Sequence, residues 1–167
     1  MGQNQRPGIA MRDDEVVAFL AASRNGMLAT VGRTGAPHLV AMWFAIVDGA
    51  IWLETKAKSQ KAVNLRRDAR ASFLIEDGMT YDTLRGVSFD VMAVVSENRD
   101  DLWKVGVSMY ERYIGPYDES ARAGVEGLIH KRIAVRLDVV RTRSWDHRKL
   151  GLPPTVAGGT TSPTPNL

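Results

Sequence analysis

The stretch Pro37-His38-Leu39-Val40-Ala41-Met42-Trp43-Phe44-Ala45-Ile46-Val47-Asp48-Gly49-Ala50-Ile51-Trp52-Leu53-Glu54-Thr55 decides the fold. Two apolar runs, 37–47 and 50–55, are separated only by Asp48-Gly49. An Asp-Gly pair accepts the positive φ angles of a tight hairpin turn, so the runs predict two antiparallel strands. Just upstream, residues 27–32 form a third β-rich run, joined to the first by Arg33-Thr34-Gly35-Ala36. Together the three predict an antiparallel meander.

Beyond Thr55 the period changes. Residues 59–67 predict a two-turn helix capped by Ser59, with Leu65 facing inward. Strand patterning returns at 71–76, turns at Asp77-Gly78 and resumes at 87–96. Residues 99–114 place Leu102, Val105 and Met109 near helical spacing, and Gly115-Pro116 ends that helix. A second helix at 119–128 precedes a last strand at 133–145. Upstream, Asp13 caps a helix that begins at Asp14 and that Gly26 stops. About six strands, joined by short hairpins with helices between them, do not make a βαβ pattern. They predict a mainly β fold, a six-stranded antiparallel split β-barrel with peripheral helices. The domain spans 13–150. Polar residues 1–12 read as a flexible arm, and the Pro-, Thr- and Gly-containing segment 151–167 as a disordered tail.

A chain of 167 residues suits one domain with a single core, and 44% hydrophobic content is ordinary for a globular protein. The net charge of +3 selects no partner class by itself. With no cysteine, disulfides, thiolate metal sites and Cys nucleophiles are excluded. The longest apolar run, 39–47, is too short to cross a bilayer, and the polar N-terminus lacks a secretory apolar region. These features predict a soluble, cytoplasmic protein with no membrane partner. His38, His130 and His147 are scattered without metal-ligand spacing, so no metal site is expected. Patterns of the GxSxG, GxGxxG and P-loop kinds are absent, which removes the usual support for hydrolase, Rossmann and NTPase readings.

The densest polar feature is Thr55-Lys56-Ala57-Lys58-Ser59-Gln60-Lys61-Ala62-Val63-Asn64. Its three lysines flank a helix start, where free N–H groups and the positive dipole end favour an anion such as a phosphate. Composition alone reads the same stretch as a solvated basic loop. Arg66, Arg67 and Arg70 extend it, but Glu76, Asp77 and Asp82 interrupt any basic stripe and no nucleic-acid-binding signature accompanies it. Nucleic acid is therefore not expected. Trp43 lies mid-run, and Trp145 sits beside His147 and Arg148. Trp145 suits either a cover for a planar ring or a barrel-closing core residue.

Taken in order, Gly26-Met27-Leu28-Ala29-Thr30, Gly35-Ala36-Pro37-His38, Ile51-Trp52-Leu53-Glu54-Thr55, Ser59-Gln60-Lys61, Asn64-Leu65-Arg66-Arg67-Asp68-Ala69-Arg70 and Leu84-Arg85-Gly86-Val87-Ser88 resemble the pyridoxamine 5′-phosphate oxidase-like split-barrel superfamily. The resemblance spans nearly the whole predicted domain. It implies a flavin-reductase-like fold that binds FMN or the deazaflavin F420 as a homodimer, with two cofactor sites at the interface. It implies that Thr55, Ser59, Gln60 and Lys61 contact the cofactor phosphate, with Asn64 closing the cofactor-binding stretch, that His38, Met42 and Trp43 line the ring system, and that Trp145 and Arg148 contribute near the C-terminus. The chain lacks a long basic N-terminal extension and a clear Arg-Leu-His motif, so pyridoxal phosphate synthesis is not implied. The run 64–70 and the segment 84–87 look more like the actinobacterial F420-dependent subgroup. Lys56, Lys58 and Arg66 would suit that cofactor's acidic oligoglutamyl tail, which FMN lacks. The implied activity is hydride transfer from reduced F420 to an electron-poor unsaturated small molecule, with no proton donor singled out. The alternatives are an FMN-binding oxidase or reductase, and a non-catalytic flavin, F420 or haem carrier.

Overall fold

Residues 37–47 are not one strand. In the computed structural model, which describes residues 6–155, they break at Trp43-Phe44 into β2 (Pro37–Met42) and β3 (Ala45–Val47). β1 (Gly26–Val31) precedes them and β4 (Ala50–Lys56) follows. β2 pairs with β1, and β3 with β4 across the expected Asp48-Gly49 turn, whose φ angles are 51° and 76°. The expected meander is thus two hairpins that do not pair with each other. The physical reason is the corner at Phe44, whose backbone groups bond a side chain in place of a strand ladder.

The remaining strands are β5 (Arg70–Asp77), β6 (Arg85–Ser96) and β7 (Arg132–Asp146). All pair antiparallel in one seven-stranded sheet of order β2-β1-β5-β6-β7-β4-β3. The count is seven where the sequence predicted six, because one long run became two strands. The two edge strands, β2 and β3, are separated in the chain by Trp43 and Phe44 alone. A sheet whose opposite edges are tied by two residues must curl, and this one forms a half-barrel.

Inward residues alternate along the strands with period two, as a half-buried sheet requires. Leu28, Leu53, Phe73, Ile75, Val87, Val135 and Leu137 fill the interior with Phe44. The helix α3 (Gln60–Arg67) adds Ala62 and Leu65 to that core. Ser59 caps it as expected, its Oγ accepting the Ala62 N–H at 3.3 Å. On the outside, α4 (Arg99–Tyr113) packs on β3, β4 and β7 through Val105 and Met109, which join Ala45 and Ala134 in a second cluster. Burying two such side chains contributes about 1.5–3 kcal/mol each. α4 ends just before Gly115-Pro116, and α5 (Arg122–Ile129) covers its flank after a 3-10 turn at Glu119–Ala121.

At the N-terminal end, residues 6–12 of the expected arm carry a helical turn and a hydrogen bond to β7. Arg6–Ile9 forms a helical turn, α1, and Met11 N–H donates to Ser144 Oγ at 2.9 Å. α2 (Asp13–Ala22) begins one residue earlier than expected, with Arg12 at the cap position and its N–H donating to Glu15 at 2.7 Å. Residues 151–155 carry no helix or strand. The rest of the expected arm, 1–5, and of the expected tail, 156–167, lies outside the described residues. Among the described residues, no helix is long and apolar enough to cross a membrane.

Candidate functional site

β4 alternates its side chains between two environments. Ile51 and Leu53 point into the barrel core, whereas Trp52, Glu54 and Lys56 share the opposite face. On that face Lys56 stands directly opposite Arg132, the first residue of β7. Here β4, the start of α3 and the outer helices enclose a cleft of about 240 Å³. Glu54, Thr55, Lys61 and Arg132 supply its polar wall, and Met42 and Trp43 part of its apolar one. Trp43 is half exposed and stacks on Tyr113, with ring centroids 4.3 Å apart and planes 3° from parallel. That pair is a rigid aromatic slab at the edge of the cleft.

The residues expected around a phosphate divide into two groups. Thr55 Oγ1 lies 3.0 Å from Ser59 Oγ, Gln60 Nε2 donates to Asn64 Oδ1 at 2.8 Å, and Asn64 Nδ2 donates to Thr30 Oγ1 at 3.0 Å. This relay fastens α3 to β4 and β1, and it fully buries Asn64. Lys61 instead lines the cleft. Lys56 and Lys58 are exposed and form no ion pair among the described residues. Arg66 is engaged, its guanidinium 2.6 Å from both Glu97 Oε1 and Ala57 O. It is therefore less available to an acidic tail than the two lysines.

The other expected residues lie elsewhere in the chain. His38 sits four residues before Met42 on β2, with Nδ1 buried and unpartnered among the described residues. Trp145 and Arg148 lie at or beyond the far end of β7, fifteen residues long. At about 3.3 Å per residue the two ends of that strand are tens of ångströms apart. The Trp145 ring covers Gly86, where an added Cβ would fall 2.3 Å from Cζ2, so only glycine leaves room for it. Arg148 Nε donates to Asp146 at 2.8 Å and, with further bonds, holds that buried carboxyl below its ordinary range.

Two members of the cleft, Glu54 and Arg132, were not singled out from the sequence. The signal for Glu54 was an acid inside the apolar run 51–55, since charged residues are rarely buried without a reason. Glu54 is 8% exposed. Its Oε1 lies 3.7 Å from Arg132 Nη1, too far for a hydrogen bond, and Oε2 has no partner among the described residues. Burial pushes this carboxyl up to about 7, against the opposing pull of Arg132. Burial also lowers the Lys61 ammonium, and the charge of Arg132 acts in the same direction. The cleft thus gathers two cations around a carboxyl that burial holds partly neutral, and an added anion would relieve the repulsion between Lys61 and Arg132. Among the described residues, no group of three His, Cys, Asp or Glu side chains could hold a metal ion.

A family model described as pyridoxamine 5′-phosphate oxidase matches residues 13–146. A crystal structure of a conserved hypothetical protein from Mycobacterium tuberculosis is 57% identical, with a TM-score of 0.91 over 96% of this chain and 100% of that one. The haem storage protein HutZ from Vibrio cholerae is 21% identical, with a TM-score of 0.63 over 78% of this chain and 92% of its own. An F420 reductase is also 21% identical, with a TM-score of 0.58 over 75% of this chain and 93% of its own. At that identity the last two are alike in fold alone.

Proposed function

The chain belongs to the pyridoxamine 5′-phosphate oxidase family, and from that premise we propose that it is an oxidoreductase using the deazaflavin F420, active on an electron-poor unsaturated small molecule. The observation that carries the proposal is the placement of Lys61 and Arg132 in one cleft, with the unpaired Lys56 opposite Arg132 and the unpaired Lys58 two residues further along the chain. The inner pair suits a phosphate. The outer pair suits an acidic tail, a feature F420 has and FMN lacks.

When bound, reduced F420 would supply a hydride to the acceptor's double bond. The chain's own part is binding, orientation and exclusion of water. Lys61 and Arg132 anchor the anion, and the relay through Thr55, Ser59, Gln60 and Asn64 fixes the start of α3 that carries Lys61. The Trp43–Tyr113 slab offers a flat face for a planar ring. Met42, Met109 and Leu128 keep the neighbouring wall apolar.

The proposal includes a second copy of the chain, whose Trp145 and Arg148 would complete the cleft, since those of the same protomer lie at the far end of β7 and do not line it. Exposed Met92 and Val140, beside an apolar groove of about 530 Å³, support such pairing. Sedimentation of the purified protein reads it directly. The activity is tested by mixing the protein with reduced F420 and a panel of quinones and enones while following the cofactor's absorbance. Acceptor-dependent oxidation that Lys61→Ala weakens through poorer cofactor binding is expected. Binding of haem or FMN alone, with no turnover of F420, would overturn the proposal.

A further inference from the structure

We propose that Glu54 is a proton-linked ligand contact: a carboxyl that enters the bound state as the neutral acid and donates its hydrogen, from the oxygen beside Arg132, to an oxygen of an anionic ligand held by Lys61 and Arg132. This rests on the cleft being the cofactor site.

The geometry carries the inference. Oε2 is a buried polar atom without a partner among the described residues, in a side chain that lines the cleft. Oε1 has only Arg132 nearby, at 3.7 Å and without a hydrogen bond. A buried carboxylate is tolerated when donors surround it or when a guanidinium clasps it with both nitrogens. Glu54 has neither arrangement. The charged or titratable groups lining the cleft with it are Lys61 from α3 and Arg132 from β7. Met109 of α4, Leu128 of α5, and Met42 and Trp43 beside the corner are neutral.

An ionised Glu54 would repel a phosphate or carboxylate oxygen and compete with it for both cations. The neutral acid offers a donor to that oxygen and leaves both cations to the ligand. The elevated carboxyl, near 7, places this change within the physiological range. In balance, the unliganded protein above that pH takes up one proton from solvent on Glu54 for each anionic ligand bound. No electron moves in the step.

The test is the dissociation constant of F420 from about pH 5.5 to 8.5, for the wild type and Glu54→Gln, with calorimetry in two buffers of different ionisation enthalpy to count protons. Wild-type affinity should fall by up to about tenfold per pH unit above the carboxyl's midpoint, with proton uptake on binding. Glu54→Gln keeps a donor but cannot ionise, so its affinity should stay flat and show no such uptake. Infrared spectra of the unliganded wild type below the carboxyl's midpoint should contain a buried carboxylic acid band that the variant lacks. A wild-type profile without this fall would overturn the inference, as would the same fall in Glu54→Gln or an equal loss of affinity at every pH. If F420 binds well with no pH dependence, the cofactor reading stands and the role of Glu54 falls. If F420 does not bind the wild type at any pH, both fall.

Discussion

The Tyr113 hydroxyl lies 3.0 Å from both the backbone nitrogen and the backbone oxygen of Phe44. It accepts the Phe44 N–H and is also within donating distance of the Arg24 carbonyl, at 2.8 Å. One side chain of α4 thereby replaces a strand ladder at the corner where the chain passes from one edge of the sheet to the other. Tyr113→Phe keeps the ring that stacks on Trp43 but leaves a Phe44 backbone N–H without its acceptor. The expected cost is about 1–3 kcal/mol, read as a lower midpoint in chemical denaturation. An unchanged midpoint would mean that the corner is held by packing alone.

That corner also marks where sequence reading stops. The Asp48-Gly49 turn, the Ser59 cap and the end of α4 before Gly115-Pro116 depend on neighbouring residues and were legible. The break at Trp43-Phe44 depends on a tyrosine 69 positions away, so a period-two reading continued straight through it. The site divides along the same line. Lys61 announced itself through a local lysine cluster at a helix start. Arg132 and Glu54 meet only because β4 and β7 pair, and nothing local to either residue records that register.

Asn64 ties α3 to β1 from a fully buried position. Asn64→Ala removes the donor to Thr30 and the acceptor for Gln60 together. A loss of about 2–3 kcal/mol is expected in the unfolding free energy, with weaker cofactor binding as α3 loosens. A stability within error of the wild type would show the relay to be incidental.

Glu54 makes stability depend on pH. In the unfolded chain its carboxyl ionises at the ordinary value of 4.5, and in the fold at about 7. Between these values the folded state binds more protons, so the contribution is present below the lower value, declines as pH rises and is gone above the upper one. Glu54→Gln removes the dependence. The variant should be more stable than the wild type near pH 8, by at most about 3 kcal/mol, and the two should converge at acidic pH. Parallel stability curves across the range would contradict the buried, unbonded state of this carboxyl.

Lys56 and Lys58 are exposed and unpaired among the described residues, and the proposed F420 reading assigns them to the cofactor's acidic tail. Reversing both charges (Lys56→Glu with Lys58→Glu) should weaken F420 with its oligoglutamyl tail by about tenfold at low ionic strength. FMN binding should change far less, and added salt should shrink the difference. Equal losses for the two cofactors would remove the lysines from any role in recognising a tail.

The most direct test of the account is an equilibrium titration of the wild type and Lys61→Ala with F420 and, separately, with FMN. Micromolar binding of F420, weaker binding of FMN and a loss of at least about 1.5 kcal/mol on Lys61→Ala are the predicted results. Tighter binding of FMN than of F420, or an unchanged F420 dissociation constant in a folded Lys61→Ala protein, would contradict it.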